Sequence, residues 1–125
     1  MTEQLHTHIH ARTGHISLNR PKALHALTLD MCHAMSAALA EWDAQEAVEA
    51  VILDHAEGRG FCAGGDINLL RNSALNDDGE SGRAFFHDEY RLNHQMFEYG
   101  KPIVAFMDGI TMGGGVGIAL PCKYR

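Results

Sequence analysis

No apolar run in this sequence approaches the ~20 residues that a helix needs to cross a bilayer, so a helical membrane span is not expected. No basic face is present either. Ten Lys and Arg stand against sixteen Asp and Glu, a net charge of −6 spread along the chain rather than gathered in a tail. A nucleic-acid partner would ordinarily meet clustered positive charge, so no such partner is expected. Met1-Thr2-Glu3-Gln4 shows neither a positive-then-apolar signal nor an arginine-rich transit pattern. Cysteine is scarce. Cys32, Cys62 and Cys122 form no metal-like pairs, and three thiols cannot all be bonded to one another. These absences point to a reducing, cytoplasmic location. What the chain has is 46% hydrophobic residues over 125 positions, enough for one small domain with a core.

The chemistry concentrates in two glycine turns. Phe61-Cys62-Ala63-Gly64-Gly65-Asp66 follows the apolar run Val51-Ile52-Leu53 and leads into the helical pattern of Ile67-Asn68-Leu69-Leu70. Gly109-Ile110-Thr111-Met112-Gly113-Gly114-Gly115-Val116-Gly117 likewise follows Ile103-Val104-Ala105-Phe106. Glycines before a helix leave main-chain N–H groups that a ligand can approach closely, and the helix start adds unpaired donors and partial positive charge. If the two turns converge, they make a two-donor hole for a developing oxyanion. The alternative is a pair of tight strand-to-helix turns with no ligand.

Around these turns the pattern is α/β. Leu5–Ala11 and Gly14–Asn19 alternate about Arg12-Thr13-Gly14, which predicts a hairpin with glycine in its turn. His6, His8 and His10 then share one strand face, either as metal ligands or, with no further ligand placed to complete a site, as solvated side chains. Pro21 breaks the strand and leaves Arg20 and Lys22 on a loop, as phosphate contacts or as solvated charges. Thr28 is the expected N-cap of a helix carrying the apolar stripe Met31, Met35, Ala38, Leu39 and Trp42. His25 and His33 have no evident orienting neighbour. Asn72 to Arg83 reads as a mobile polar loop. Ala84 to Tyr99 reads as a helix burying Phe85, Phe86, Leu92, Met96 and Phe97, with Glu89 on the same inward side. A carboxylate there is unusual, and the alternative is an edge residue paired with Arg91 or His94 or simply solvated. Gly100-Lys101-Pro102 ends that helix.

Four segments in order carry a specific resemblance: Asn19–Leu24, Phe61–Ile67, Lys101–Ala105 and Gly109–Gly117. Together, from about residue 14 to the last, they resemble the enoyl-CoA hydratase/isomerase (crotonase) superfamily. Within it, Phe86–Asn93 and Ile110–Gly117 look most like the 3-hydroxyisobutyryl-CoA hydrolases, thioesterases of valine breakdown. The resemblance implies an α/β fold of repeated ββα units. It places the N–H groups of Gly65 and Gly114 in the oxyanion hole, the backbone of Ala63 at the adenine of coenzyme A, and Glu89 in the acyl pocket. Arg20, Lys22 and Ala23 fall near the CoA phosphates and adenine, and Asp66 and Ile67 complete the implied substrate-binding set. Coenzyme A enters as part of an acyl-CoA substrate, with no separate cofactor or metal, and the full-length enzyme is expected to be a homo-oligomer.

Two features limit what the chain is expected to do. Hydratases carry a glutamate where this sequence has Gly117, and glycine cannot move a proton, so simple hydration is not expected. The hydrolases' catalytic glutamate and aspartate fall past a strand starting near Cys122, which makes residues 1–125 the expected N-terminal part of one crotonase-like domain, incomplete at its C-terminus. On that basis the isolated chain is not expected to turn over. Asp66, at a helix start, is expected to be occupied by local N–H groups rather than free to attack. The rival expectations are another crotonase chemistry, such as isomerisation or dehydration, and a non-catalytic acyl-CoA-binding or interaction fragment.

Overall fold

Two-residue alternation builds the first hairpin. β1 (Leu5–His10) and β2 (Thr13–Leu18) pair antiparallel, from Leu5 opposite Leu18 to His10 opposite Thr13. The computed structural model describes residues 2–125, and Met1 lies outside the described residues. The turn is Ala11-Arg12, with Ala11 at φ 53°, and not the expected glycine turn. Gly14 sits in the ladder opposite Ile9. It is needed there because the Trp42 ring lies against the strand: a β-carbon on Gly14 would come within 2.6 Å of Trp42 Cζ3. His6, His8 and His10 are exposed on one face, and His8 stacks on His15 across the ladder at 4.7 Å. Among the described residues no three His, Cys, Asp or Glu side chains are grouped to hold a metal.

α1 (Leu29–Asp43) starts as expected, with Thr28 Oγ1 accepting from the Met31 N–H at 3.2 Å. Met31, Met35, Ala38, Leu39 and Trp42 are its buried stripe, each larger side chain contributing about 1.5–3 kcal/mol of burial. At its far end Lys101 Nζ donates to the carbonyls of Trp42 (2.5 Å) and Gln45 (2.7 Å). β3 (Ala50–His55) runs parallel to β2, and β5 (Ile103–Ala105) runs parallel to β3, giving the order β1-β2-β3-β5. Val104 also bridges Tyr124 in parallel. β4 (Gly60–Cys62) and β6 (Ile110–Thr111) form a second, two-stranded parallel sheet. With α2 (Ile67–Asn76) and α4 (Gly114–Ala119), the chain therefore repeats a ββα unit: β3–β4–α2 and β5–β6–α4.

The stretch 72–83 is not a loop. α2 runs to Asn76 and α3 (Glu80–Phe97) begins four residues later. The Ser, Asp and Gly residues that read as a loop instead build a tight corner. Ser73 Oγ donates to Asp77 Oδ1 (2.6 Å) and accepts from the Gly82 N–H (2.8 Å), while Gly79 takes φ 80°. α3 buries Phe85, Glu89, Leu92 and Met96, a face at spacings of four, three and four. Phe86 and Phe97 fall off that phase and are exposed, Phe97 by 75%. The helix stops at Phe97, short of Gly100. No helix among the described residues is long and apolar enough to cross a membrane.

Candidate functional site

β4 and β6 lie side by side and parallel, with Gly60 opposite Ile110 and Cys62 opposite Thr111. Parallel neighbours send the chain out at the same end, so the two glycine turns meet there. A β-carbon on Gly64 (φ 118°) would stand 3.4 Å from the Gly114 nitrogen, and one on Gly114 would stand 3.3 Å from the Gly65 nitrogen. Leu27 brackets the first turn from the other side: its N–H donates to Gly64 O (2.6 Å) and its carbonyl accepts from the Asp66 N–H (2.9 Å). Backbone groups alternate in direction along an extended chain, which leaves the Gly65 N–H on the side away from Leu27. Gly114 is the first residue of α4, so its N–H has no partner within the helix. Two unpaired main-chain donors are thus neighbours at one sheet end.

Glu89 closes this cluster. It is 4% exposed, and its carboxylate presses against the bare Cα side of Gly114, beside the Gly65 nitrogen and Leu27 Cδ1. Burial raises its pKa above the ordinary carboxyl value, with no cation among the described residues offsetting the effect. The edge alternative does not hold: His94 pairs with Glu98 at 3.2 Å, and Arg91 is exposed. A carboxyl group whose burial disfavours the charged form, beside two N–H donors, can accept or return a proton, or bind a polar acyl group.

A second group of expected site residues lies around the first turn. Arg20 is not a free cation: Nη1 donates to Ala26 O (2.6 Å) and Nη2 to Asp66 Oδ2 (2.9 Å). Asp66 caps α2, its Oδ1 accepting from the Leu69 N–H at 3.1 Å, so its carboxylate is occupied as expected. Partial burial pushes Asp66 upward in pKa, but the Leu69 amide and the Arg20 guanidinium outweigh it and hold the carboxyl below its usual range. Ala63 donates its N–H to Leu24 O at 3.0 Å. That bond sets it against the 3₁₀ turn of Pro21, Lys22 and Ala23. Lys22 is exposed, and Ile67, first in α2, is 77% exposed.

Two polar residues escape the sequence pattern. His25 is fully buried at φ 54°. Its Nδ1 accepts from the Arg20 N–H (2.9 Å) and its Nε2 meets Glu57 O (2.7 Å), so it orients the 20–26 loop rather than lacking neighbours. Burial lowers its pKa, favouring the neutral ring. Asn93, one turn after Glu89, faces Gly117: a β-carbon there would meet Asn93 Nδ2 at 3.2 Å.

This arrangement has known counterparts. The enoyl-CoA hydratase/isomerase family model matches residues 13–125.

The chain belongs to the enoyl-CoA hydratase/isomerase family.

It is 43% identical over 118 residues to the mitochondrial 3-hydroxyisobutyryl-CoA hydrolase of Danio rerio, covering 91% of this chain. The chain spans 30% of that protein's length. A solved carnitinyl-CoA dehydratase from Mycobacterium thermoresistibile superposes with a TM-score of 0.95 at 44% identity, over 99% of this chain and 36% of that one. A small ribosomal subunit protein, mS47 of Neurospora crassa, is 37% identical over 114 residues, covering 88% of this chain and 22% of its own length. The fold is the crotonase fold.

Proposed function

We propose that this family member is an acyl-CoA thioester hydrolase whose substrate is 3-hydroxyisobutyryl-CoA, released as 3-hydroxyisobutyrate and free CoA. The observation that carries the reading is the juxtaposition of the unpaired Gly65 and Gly114 amides with the buried carboxyl of Glu89, whose pKa burial raises. The thioester carbonyl oxygen sits between the two amides. As a water oxygen attacks the carbonyl carbon and gives up a proton, negative charge grows on the carbonyl oxygen, and each amide stabilises it by roughly 3–4 kcal/mol, as oxyanion-hole donors do elsewhere. Collapse of the tetrahedral species expels the CoA thiolate, which takes up a proton. Glu89 lines the acyl side of the hole. The absence of a side chain at Gly117 supports hydrolysis over hydration, since that position offers no acid or base.

CoA itself lies along Ala63, Ala23 and Lys22, with Asp66 and Ile67 at its edge and Arg20 acting through its clamp on Asp66. No other cofactor enters, and the three buried thiols suit a reducing compartment such as the cytoplasm. Self-association of this family member is part of the reading.

The 125 residues alone supply the hole but no free attacking carboxylate, because Asp66 is engaged and Glu89 faces Gly114. They are therefore expected to bind the thioester and turn it over far below the ~10 s⁻¹ typical of enzymes. Free-thiol release from 3-hydroxyisobutyryl-CoA, with binding measured in parallel, tests this. Binding with slow release supports it, and release at enzymatic rates would show that one of these two carboxylates leaves its contacts to act as the nucleophile. The mS47 relative favours a second reading, an interaction segment without chemistry, for which no acyl-CoA would bind.

A further inference from the structure

The strip between α3 and α4 holds a polar group that the oxyanion hole and the Glu89 carboxyl leave unused. Glu89 and Asn93 are four apart on α3, and Gly114 and Gly117 are three apart on α4, so each pair lies on one helix face. The two faces meet: Glu89 over Gly114, and the Asn93 amide over Gly117. Neither glycine contributes a side chain, so Glu89 and Asn93 of α3 supply the polar side-chain groups that face them. Asn93 Oδ1 is buried, and among the described residues it is the one buried side-chain oxygen or nitrogen without a hydrogen-bond partner. A native chain rarely leaves a buried acceptor unpaired without a reason.

We propose that Asn93 is a positioning residue for the acyl group, its side-chain carbonyl accepting a hydrogen bond from a hydroxyl carried on the acyl chain of the bound thioester. This rests on the acyl-CoA reading above and names the feature of the substrate that the site selects. The geometry is commensurate. A hydroxyl three bonds from the thioester carbonyl carbon, at about 1.5 Å per bond, stands on the order of 4 Å beyond it. One turn of α3, about 5.4 Å, separates the level of Glu89 from that of Asn93. With the carbonyl oxygen between the Gly65 and Gly114 amides, a short acyl chain running along the strip brings its hydroxyl to the Asn93 amide. The amide turns about a broad sp³–sp² torsion to meet it. A thioester without the hydroxyl leaves the acceptor orphaned, and that asymmetry generates selectivity.

The test compares 3-hydroxyisobutyryl-CoA with isobutyryl-CoA, which lacks only the hydroxyl, by calorimetric titration into the 125-residue chain. Wild type is expected to prefer the hydroxylated thioester about tenfold, the scale of one buried neutral hydrogen bond. Asn93→Leu, of similar shape, and Asn93→Ala are expected to bring that ratio to about one. A structural asparagine would lower the melting temperature when replaced. An orphaned acceptor does the reverse, so N93L is expected to melt about 4 °C higher without ligand. Equal affinity of wild type for both thioesters, or a preference that survives in both variants, overturns the proposal. Lower melting of both variants also overturns it, marking the amide as bonded to a resident water. Binding of neither thioester removes the acyl-CoA reading, and this inference with it, whereas binding without preference removes this inference alone.

Discussion

The two glycine turns that form the site are held in place by different means. The first, Gly64-Gly65, is fixed by side chains. Asp66 caps a ten-residue helix and takes Arg20 on its other oxygen, and Arg20 in turn holds Ala26. The second, Gly113-Gly114-Gly115, has no side-chain cap. Gly113 takes φ 51° and ψ −122°, and the turn is fixed by how closely bare backbone packs. A β-carbon on Gly115 would come within 2.8 Å of Cys62 Cβ. One turn is thus tunable by polar substitution, and the other responds to a single added methyl group. The contrast also separates the two carboxyls of the site. Asp66 is held ionised by its partners, whereas Glu89, with none, is pushed toward the neutral form.

The strongest way to break the contrast is Gly115→Ala, which forces a methyl into the Cys62 backbone. A loss of about 3 kcal/mol is expected, read by urea unfolding, and a loss below about 1 kcal/mol would show that the second turn yields. Asp66→Ala removes the cap and the Arg20 partner from the first turn, with an expected loss of about 1–2 kcal/mol. Because the Asp66 pKa is depressed on folding, its stabilisation is present at neutral pH. It is lost as pH falls through the folded value, so wild type and D66A should converge in acid.

Glu89→Gln should act in the opposite sense. The folded pKa of Glu89 is raised, so its contribution is most favourable below the unfolded carboxyl pKa and is lost as pH rises through the folded one. E89Q is expected to be more stable than wild type by roughly 1 kcal/mol at neutral pH, with the gap closing toward acid. A gap that widens on acidification would place a cation beside Glu89. The smallest effect is expected for Lys22→Ala: stability unchanged within about 0.5 kcal/mol, and CoA affinity weakened by about threefold, measured by titration.

Much of the fold was legible because local rules and tertiary packing agreed. Thr28 caps α1, the Met31–Trp42 stripe is the core face, and the Val51–Leu53 and Ile103–Ala105 runs lie in strands β3 and β5. Legibility failed where a polar residue has two local uses. Ser73, Asp77 and Gly79 suit a loop or a helix corner equally, and the hydrogen bonds of Ser73 to Asp77 and Gly82 decided for the corner. Gly14 reads as a turn residue until Trp42, 28 positions later, is seen to occupy the space beside it. His25 and Asn93 gave no signal, since neither spacing nor composition tells which buried polar atom will find a partner. Arg20 suits a solvated charge or a phosphate contact equally by sequence, and its contact with Asp66 spans a separation that no local pattern encodes.

By itself the sequence determined the repeated strand–turn–helix plan, the phase that buries Glu89, and the family, because periodicity and glycine placement are local properties. Tertiary structure alone decided that β4 and β6 lie parallel and adjacent, which brings two N–H groups 49 residues apart to one point. It also decided that, among the described residues, no cation offsets the burial of Glu89 and no partner meets Asn93 Oδ1. Those outcomes follow from long-range packing, where the burial of a group is set by elements that are distant in the chain.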